Sequence, residues 1–177
     1  MTEEEVKLNF ITPAIEEAGW QKKQIRMEYR ITAGKIVIRS NIAKRLPPKH
    51  ADYVLFYKPN LPLAVVEAKD NNHRVGDGID QALEYADKLK VRFAFTSNGD
   101  NFLLHDIKEG TETIISLDKF PSPQELFDKQ YKKEVDDYPN FNKIINTPYY
   151  FGDDSFEPRY YQMVAINKTV EAISKGQ

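Results

Sequence analysis

The sequence predicts an α/β fold, a mixed central β-sheet flanked by helices, and three observations carry that prediction. Residues 51–57 and 63–69 are apolar, rich in β-branched and aromatic side chains, and joined by a Lys58-Pro59-Asn60 break, which is the pattern of a hairpin in a core. The second segment leads into an amphipathic helix over 79–90 and another apolar strand over 91–96. A strand, helix and strand in series form a right-handed crossover, so those two strands run parallel. Helices with apolar stripes stand at both ends of the chain.

Taken in order, residues 2–18 are expected to be helical. Val6, Leu8, Phe10, Ile11, Ala14, Ile15 and Ala18 supply the stripe, Thr2 and Glu5 a capping box, and Pro13 an interruption near Thr12, because proline lacks a donor and crowds the preceding turn. Gly19-Trp20 ends this helix. Residues 24–31 and 35–38 alternate polar and apolar around Ala33-Gly34 and are expected to pair as a hairpin with one wet face. A basic loop follows, stiffened by Pro47-Pro48 before Asp52, so that about three strands come before the one ending at Lys69. Residues 70–78 are polar. In the helix over 79–90, Ile79, Ala82, Leu83, Ala86 and Leu89 form the buried stripe, while Gln81 and Tyr85 share a different face one turn apart. Ser97-Asn98-Gly99-Asp100 is a turn, and residues 101–107 and 111–117 form a last hairpin around Glu109-Gly110. Ser122-Pro123-Gln124-Glu125 combines an N-cap, a proline at the first helical position and a capping acid, so a helix runs to about Val135. Pro158 opens the final helix, striped by Met163, Ile166, Val170 and Ile173.

Chemistry concentrates at the ends of the central hairpin. Asp52 opens one strand; Glu67 and Lys69 close the other and, being two apart, project from one face. Two carboxylates and an ammonium at the ends of buried strands are costly to desolvate unless a cation or each other satisfies them. Hard divalent ions such as magnesium take carboxylate oxygens, keep several waters and are completed by substrate phosphates. A lysine aimed at the same spot can orient a water and stabilise developing negative charge. The constellation reads as metal-assisted phosphodiester hydrolysis. An ordinary strand-end salt bridge is the competing reading.

Asp52 followed by Glu67-Ala68-Lys69 after an apolar strand resembles the PD-(D/E)xK nucleases, with Ala51 where that pattern has proline. Gln81-Ala82-Leu83-Glu84-Tyr85 resembles the QxxxY element of type I restriction enzyme R subunits and RecB-like nucleases. Ile11-Thr12-Pro13, Ala18-Gly19-Trp20, Ala51-Asp52-Tyr53-Val54-Leu55 and Thr96-Ser97-Asn98-Gly99 extend the resemblance to the R-subunit amino terminus over roughly the first 110 residues. The resemblance implies a restriction-endonuclease-like fold, catalytic Asp52, Glu67, Lys69, Gln81 and Tyr85, and Mg2+ (or Mn2+) held by Asp52, Glu67 and the Ala68 backbone carbonyl. An acid on the first helix joins them in the family, and the alignment of Ile11-Thr12-Pro13 and Gly19-Trp20 puts it at Glu5. Arg159, Tyr161, Gln162, Ala165 and Ile166 resemble the segment that introduces superfamily 2 helicase motors.

The composition bounds these readings. With 177 residues, 41% hydrophobic and 12% aromatic, the chain suffices for one well-cored domain. It has no cysteine, which excludes disulfides and thiolate metal sites and suits a reducing cytoplasm. No apolar run approaches a membrane span, and the acidic Thr2-Glu3-Glu4-Glu5 start is unlike a signal peptide, so a cytoplasmic protein with no membrane partner is expected. A net charge of −2 argues against tight autonomous DNA binding. Its distribution argues for a local approach path: between Glu28 and Asp52 there are no acids, while Arg30, Lys35, Arg39, Lys44, Arg45 and Lys49 lie there. A solvated basic loop is the plainer reading of the same interval. Of the three histidines, His50 is the functional candidate beside Asp52, His105 an edge-strand residue and His73 a loop residue.

The expected organisation is an endonuclease domain over 1–136, a linker over 137–157, and a helix over 158–177 leading toward a motor. No glycine-rich phosphate loop occurs in the chain, so ATP is expected to matter only to a full-length subunit. The expected function is magnesium-dependent cleavage of double-stranded DNA, as the nuclease module of a type I restriction R subunit whose partners are methylase and specificity subunits. A stand-alone RecB-like or repair nuclease, or a non-catalytic DNA-binding or assembly module, are the alternatives.

Overall fold

The computed structural model describes residues 1–32, 47–148 and 158–176, together with the backbone of two short strands in between, β2 (Ile36–Arg39) and β3 (Ile42–Arg45). Six strands, β1 (Ile25–Thr32), β4 (Lys49–Lys58), β5 (Leu61–Ala68), β6 (Phe93–Ser97), β7 (Asn101–Asp106) and β8 (Thr111–Ser116), form a mixed sheet in the order β1-β4-β5-β6-β7-β8. Only β5 and β6 are parallel, joined through helix α3 (Ile79–Leu89) as the crossover predicts. Every residue of β5 is buried, as expected of a strand covered on both faces. One face packs against helices α1 (Glu3–Val6), α2 (Thr12–Glu17), α4 (Pro123–Asp137) and α5 (Phe141–Ile145), around Trp20, Tyr53, Leu55, Phe93, Phe95 and Phe102. The other packs against α3 and α6 (Tyr160–Ser174), around Val54, Phe56, Val65, Ala86 and Met163.

The first helix passes through Pro13 without breaking. Between α1 and α2 lies a π turn, Lys7–Ile11, closed by the Thr12 N–H reaching back to the Lys7 carbonyl. Proline sits in the first turn of α2, where its missing donor costs little. Leu8, expected to be buried, is 72% exposed, and Lys7 is buried instead. Gly99, with φ +92°, allows the β6–β7 turn to meet this helix, since a Cβ there would lie 3.1 Å from the Val6 side chain.

The hairpin expected from 24–31 and 35–38 does not form. β1 pairs instead with β4, and the second segment pairs with β3 inside the stretch read as a loop, which makes the strand bearing Glu67 the fifth. β4 is ten residues long with a run of buried residues, and it needs a partner on each edge to satisfy its backbone; β1 is long enough to be one and Ile36–Arg39 is not. The side chains of Lys35, Arg39, Lys44 and Arg45 lie outside the described residues. Lys49 is spent on a salt bridge to Glu84 of α3 at 2.7 Å. In the stretch expected as a linker, α5 buries Phe141 and Ile145 in the larger core, while 149–157 lie outside the described residues. α6 is seated on the sheet by Met163 and tied to α4 by Lys175 and Glu134, 3.6 Å apart. Among the described residues no helix is long and apolar enough to cross a membrane.

Candidate active site

Asp52 and Glu67 stand on neighbouring strands just past the Tyr53–Val66 pair, where the β4–β5 hairpin opens. The hairpin locks both. The Asp52 amide donates to Glu67 Oε1 at 3.2 Å, and the Ala68 amide donates to Asp52 Oδ2 at 2.8 Å. Both carboxylates are buried, Glu67 to 1% exposure. Burial first, and the neighbouring Asp52 charge second, push the Glu67 carboxyl up to about 8. A carboxyl in that state is one that a cation would readily ionise.

Lys69 follows on the Glu67 side of β5, its amide donating to the Ser97 carbonyl of β6 at 2.8 Å and its side chain partly exposed. The start of α3 lies close over it. A Cβ on Gly78 would stand 3.2 Å from Lys69 Cε and 3.5 Å from Glu67 Cβ, so a side chain there would crowd the lysine. From α3, Gln81 Nε2 donates to Glu67 Oε2 at 2.8 Å and lies 3.2 Å from the Tyr85 hydroxyl. The two therefore hold Glu67 in series. Tyr85, expected on a face apart from the buried stripe, is 3% exposed and belongs to that stripe with Ala82, Ala86 and Leu89. Its phenol is raised above the ordinary range by burial and then by Glu67.

The first helix also reaches the site, through residues the sequence reading did not select. Glu5 turns back to accept the Thr2 amide at 2.7 Å, completes the capping box and is exposed. A residue at N3 of a capping box must point back along the chain, so it cannot also face the sheet. Glu3 and Lys7, one turn apart, face inward. Glu3 Oε2 is 3.8 Å from Lys69 Nζ, and burial followed by Asp52 raises its carboxyl. Lys7 Nζ is 2.6 Å from Asp52 Oδ1. Burial alone would lower the Lys7 ammonium, but its bonds to Asp52, Glu4 and Glu28 outweigh that and hold it well above the usual lysine range. A signal for Lys7 existed: it shares the helical phase of Ile11, Ala14, Ile15 and Ala18, an unusual place for a lysine.

The histidines stay outside. His50 is exposed on β4 opposite Arg30, His73 pairs with Asp70 at 3.0 Å in the loop after Lys69, and His105 pairs across strands with Glu112 at 3.0 Å.

This geometry fits what comparison with known proteins finds. Residues 2–121 match the family model for the type I restriction enzyme R protein N terminus (HSDR_N). The chain belongs to this family. Over its whole length it is 44% identical to the Type I restriction enzyme EcoAI endonuclease subunit of Escherichia coli, of which it covers 22%. A solved fragment assigned as an HsdR subunit of a type I restriction enzyme from Vibrio vulnificus YJ016 superposes with a TM-score of 0.85 at 34% identity, over 99% of this chain and 33% of that one. The chain thus spans about a fifth of its curated relative. The six-stranded mixed sheet between helices is the restriction-endonuclease-like fold of that R-protein amino terminus.

Proposed function

We propose that this R-protein amino-terminal domain is a PD-(D/E)xK nuclease that hydrolyses phosphodiester bonds of double-stranded DNA with a divalent metal ion. One observation carries the reading: Asp52 and Glu67 are locked together at the open end of a buried hairpin, with Lys69 on the same face, so two carboxylates share one desolvated spot beside an ammonium.

The donor set fits a hard ion. Asp52 and Glu67 supply oxygens, the Ala68 carbonyl is the backbone candidate, and Glu3 replaces Glu5 as the acid from the first helix. No group of three or more His, Cys, Asp or Glu able to hold a metal occurs among the described residues, so waters and a substrate phosphate would complete the shell, as magnesium favours. When bound, Mg2+ or Mn2+ would neutralise phosphate charge and lower the pKa of a water. The protein's own groups do the rest. Gln81, braced by Tyr85, fixes the Glu67 carboxylate; Lys69 places its ammonium against the charge that develops on the phosphate oxygens; Gly78, without a side chain, leaves the lysine uncrowded. Sequence reading by this domain is not required, since phosphate contacts position without specifying.

As one module of a longer R subunit, the domain would act within a complex of methylase and specificity subunits, and ATP would serve a motor beyond helix α6. The deciding experiment is titration of Mn2+ into the chain and into Asp52→Ala and Glu67→Ala, alongside nicking of supercoiled DNA. Both variants should lose metal binding and nicking together. Undiminished binding in both would refute the metal assignment, and undiminished nicking by both would refute the nuclease site.

A further inference from the structure

Lys7 is not accounted for by any role above. All three protons of its ammonium have an acceptor: Asp52 Oδ1 at 2.6 Å, Glu4 Oε1 at 2.9 Å and Glu28 Oε1 at 2.9 Å, with Glu3 Oε1 a fourth carboxylate oxygen at 3.8 Å. Its side chain is 3% exposed, although Glu4 and Glu28, which close over it, face solvent. The placement comes from two separate elements. The first is the amino-terminal helix, on which Lys7 lies in phase with the buried Ile11, Ala14 and Ile15. The second is Glu28, which interrupts β1 with φ +49° between Met27, paired with Tyr53, and Tyr29, paired with Ala51, and so stands across from Asp52. A non-glycine residue seldom adopts this backbone inside a strand. The two oxygens of Asp52 are thereby divided, Oδ2 to the Ala68 amide and Oδ1 to Lys7.

We infer that Lys7 is a positioning residue, a resident cation that orients Asp52 and fills the side of its carboxylate where a second divalent ion would otherwise be held, so that the centre takes one metal ion and not two. The inference rests on the proposed metal reading of Asp52 and Glu67. Its physical basis is charge balance. Glu3, Glu4, Glu28 and Asp52 surround one position, and a buried position ringed by carboxylates is occupied by a cation or the ring disperses. An ammonium fixed to the helix satisfies the ring permanently. Removing it leaves hard oxygen donors from α1, β1 and β4 without their cation, and they have only to close in from their present 2.6, 2.9 and 2.9 Å to hold a divalent one.

The test is metal stoichiometry, which a lysine that merely anchors a helix would not alter. Mn2+ is titrated calorimetrically into the chain, Lys7→Met, Lys7→Arg and the double variant Lys7→Met/Glu28→Gln, and each is melted in chelator and in excess Mn2+. The wild type and Lys7→Arg should bind one ion per chain, Lys7→Met two, and the double variant one. Lys7→Met should melt below the wild type in chelator and regain most of the difference with Mn2+, because an ion bound only by the native state stabilises it. Should Lys7→Met be unfolded in chelator, refolding by Mn2+ supports the inference and failure to refold overturns it. One ion in a folded Lys7→Met, or two in the wild type, also overturns it. A wild type that binds none while Lys7→Met binds one would refute the Asp52–Glu67 metal reading and leave Lys7 as the resident cation; none in either would refute both.

Discussion

Two buried charge clusters sit at different strands of the same sheet, and they are built on opposite principles. At Arg92 and Asp106 the match is complete. Arg92 Nε and Nη2 donate to the two Asp106 oxygens at 2.6 and 2.7 Å, Nη1 donates to the Lys129 carbonyl, and Asp106 further accepts the Lys108 and Glu109 amides. Burial works against the Asp106 charge, yet Arg92 and the Glu109 amide hold its carboxyl below the usual range. At Asp52 and Glu67 two carboxylates share one desolvated spot, and Glu67 is pushed up to about 8. The first lacks nothing; the second, on the metal reading proposed above, is completed by another cation.

The comparison breaks first at catalysis. Lys69→Ala should slow single-turnover DNA cleavage by roughly 10²–10³, the scale of losing one group that stabilises transition-state charge, with DNA binding nearly unchanged in an anisotropy titration. An equal loss of affinity with an intact rate would contradict its role. Asp52→Ala and Glu67→Ala should go further and abolish cutting.

Arg92→Met should show the reverse. Leaving Asp106 buried without its partner costs about 3–5 kcal/mol in denaturant melts, while the Mn2+ affinity of the folded fraction stays at the wild-type value. Altered metal affinity would mean that the two clusters are coupled.

Titration of stability sharpens the contrast further. The Glu67 carboxyl is raised from 4.5 in the unfolded chain to about 8 in the fold, so its contribution is fully present below pH 4.5 and lost as pH rises through 8. The metal-free chain should therefore lose stability across that window, and Glu67→Gln should flatten the slope. Asp106, held low, has the opposite sign: its contribution is present above pH 3.8 and lost as pH falls through its folded value. An unchanged neutral-range slope in Glu67→Gln would show that another group dominates there.

The smallest effect is expected at the second helix contact. Tyr85→Phe deletes one hydroxyl beside Gln81 and should weaken the bracing of Glu67 by about 1 kcal/mol, seen as a several-fold loss of cleavage with the fold intact. Wild-type cutting would show that the Tyr85 hydroxyl does not brace Glu67.

The sequence by itself determined the hairpin carrying Asp52 and Glu67, the parallel crossover to β6 and the capped helices, because each is written in local periodicity and turn chemistry within a short stretch. It also placed Lys69 and Gln81 on elements bound to face Glu67. Only the tertiary structure decided the partner of β1, since strand pairing depends on which edge remains free and not on alternation. Only the structure shows Glu5 turned back to Thr2 and Glu3 facing Lys69. A capping box and a site acid are alike in sequence, and the direction of the first turn chooses between them. Lys7 and Glu28 were joined to Asp52 only by the structure: helical phase turns Lys7 inward without naming its partner, and a positive φ in a strand redirects one side chain without leaving a periodic trace in the chain.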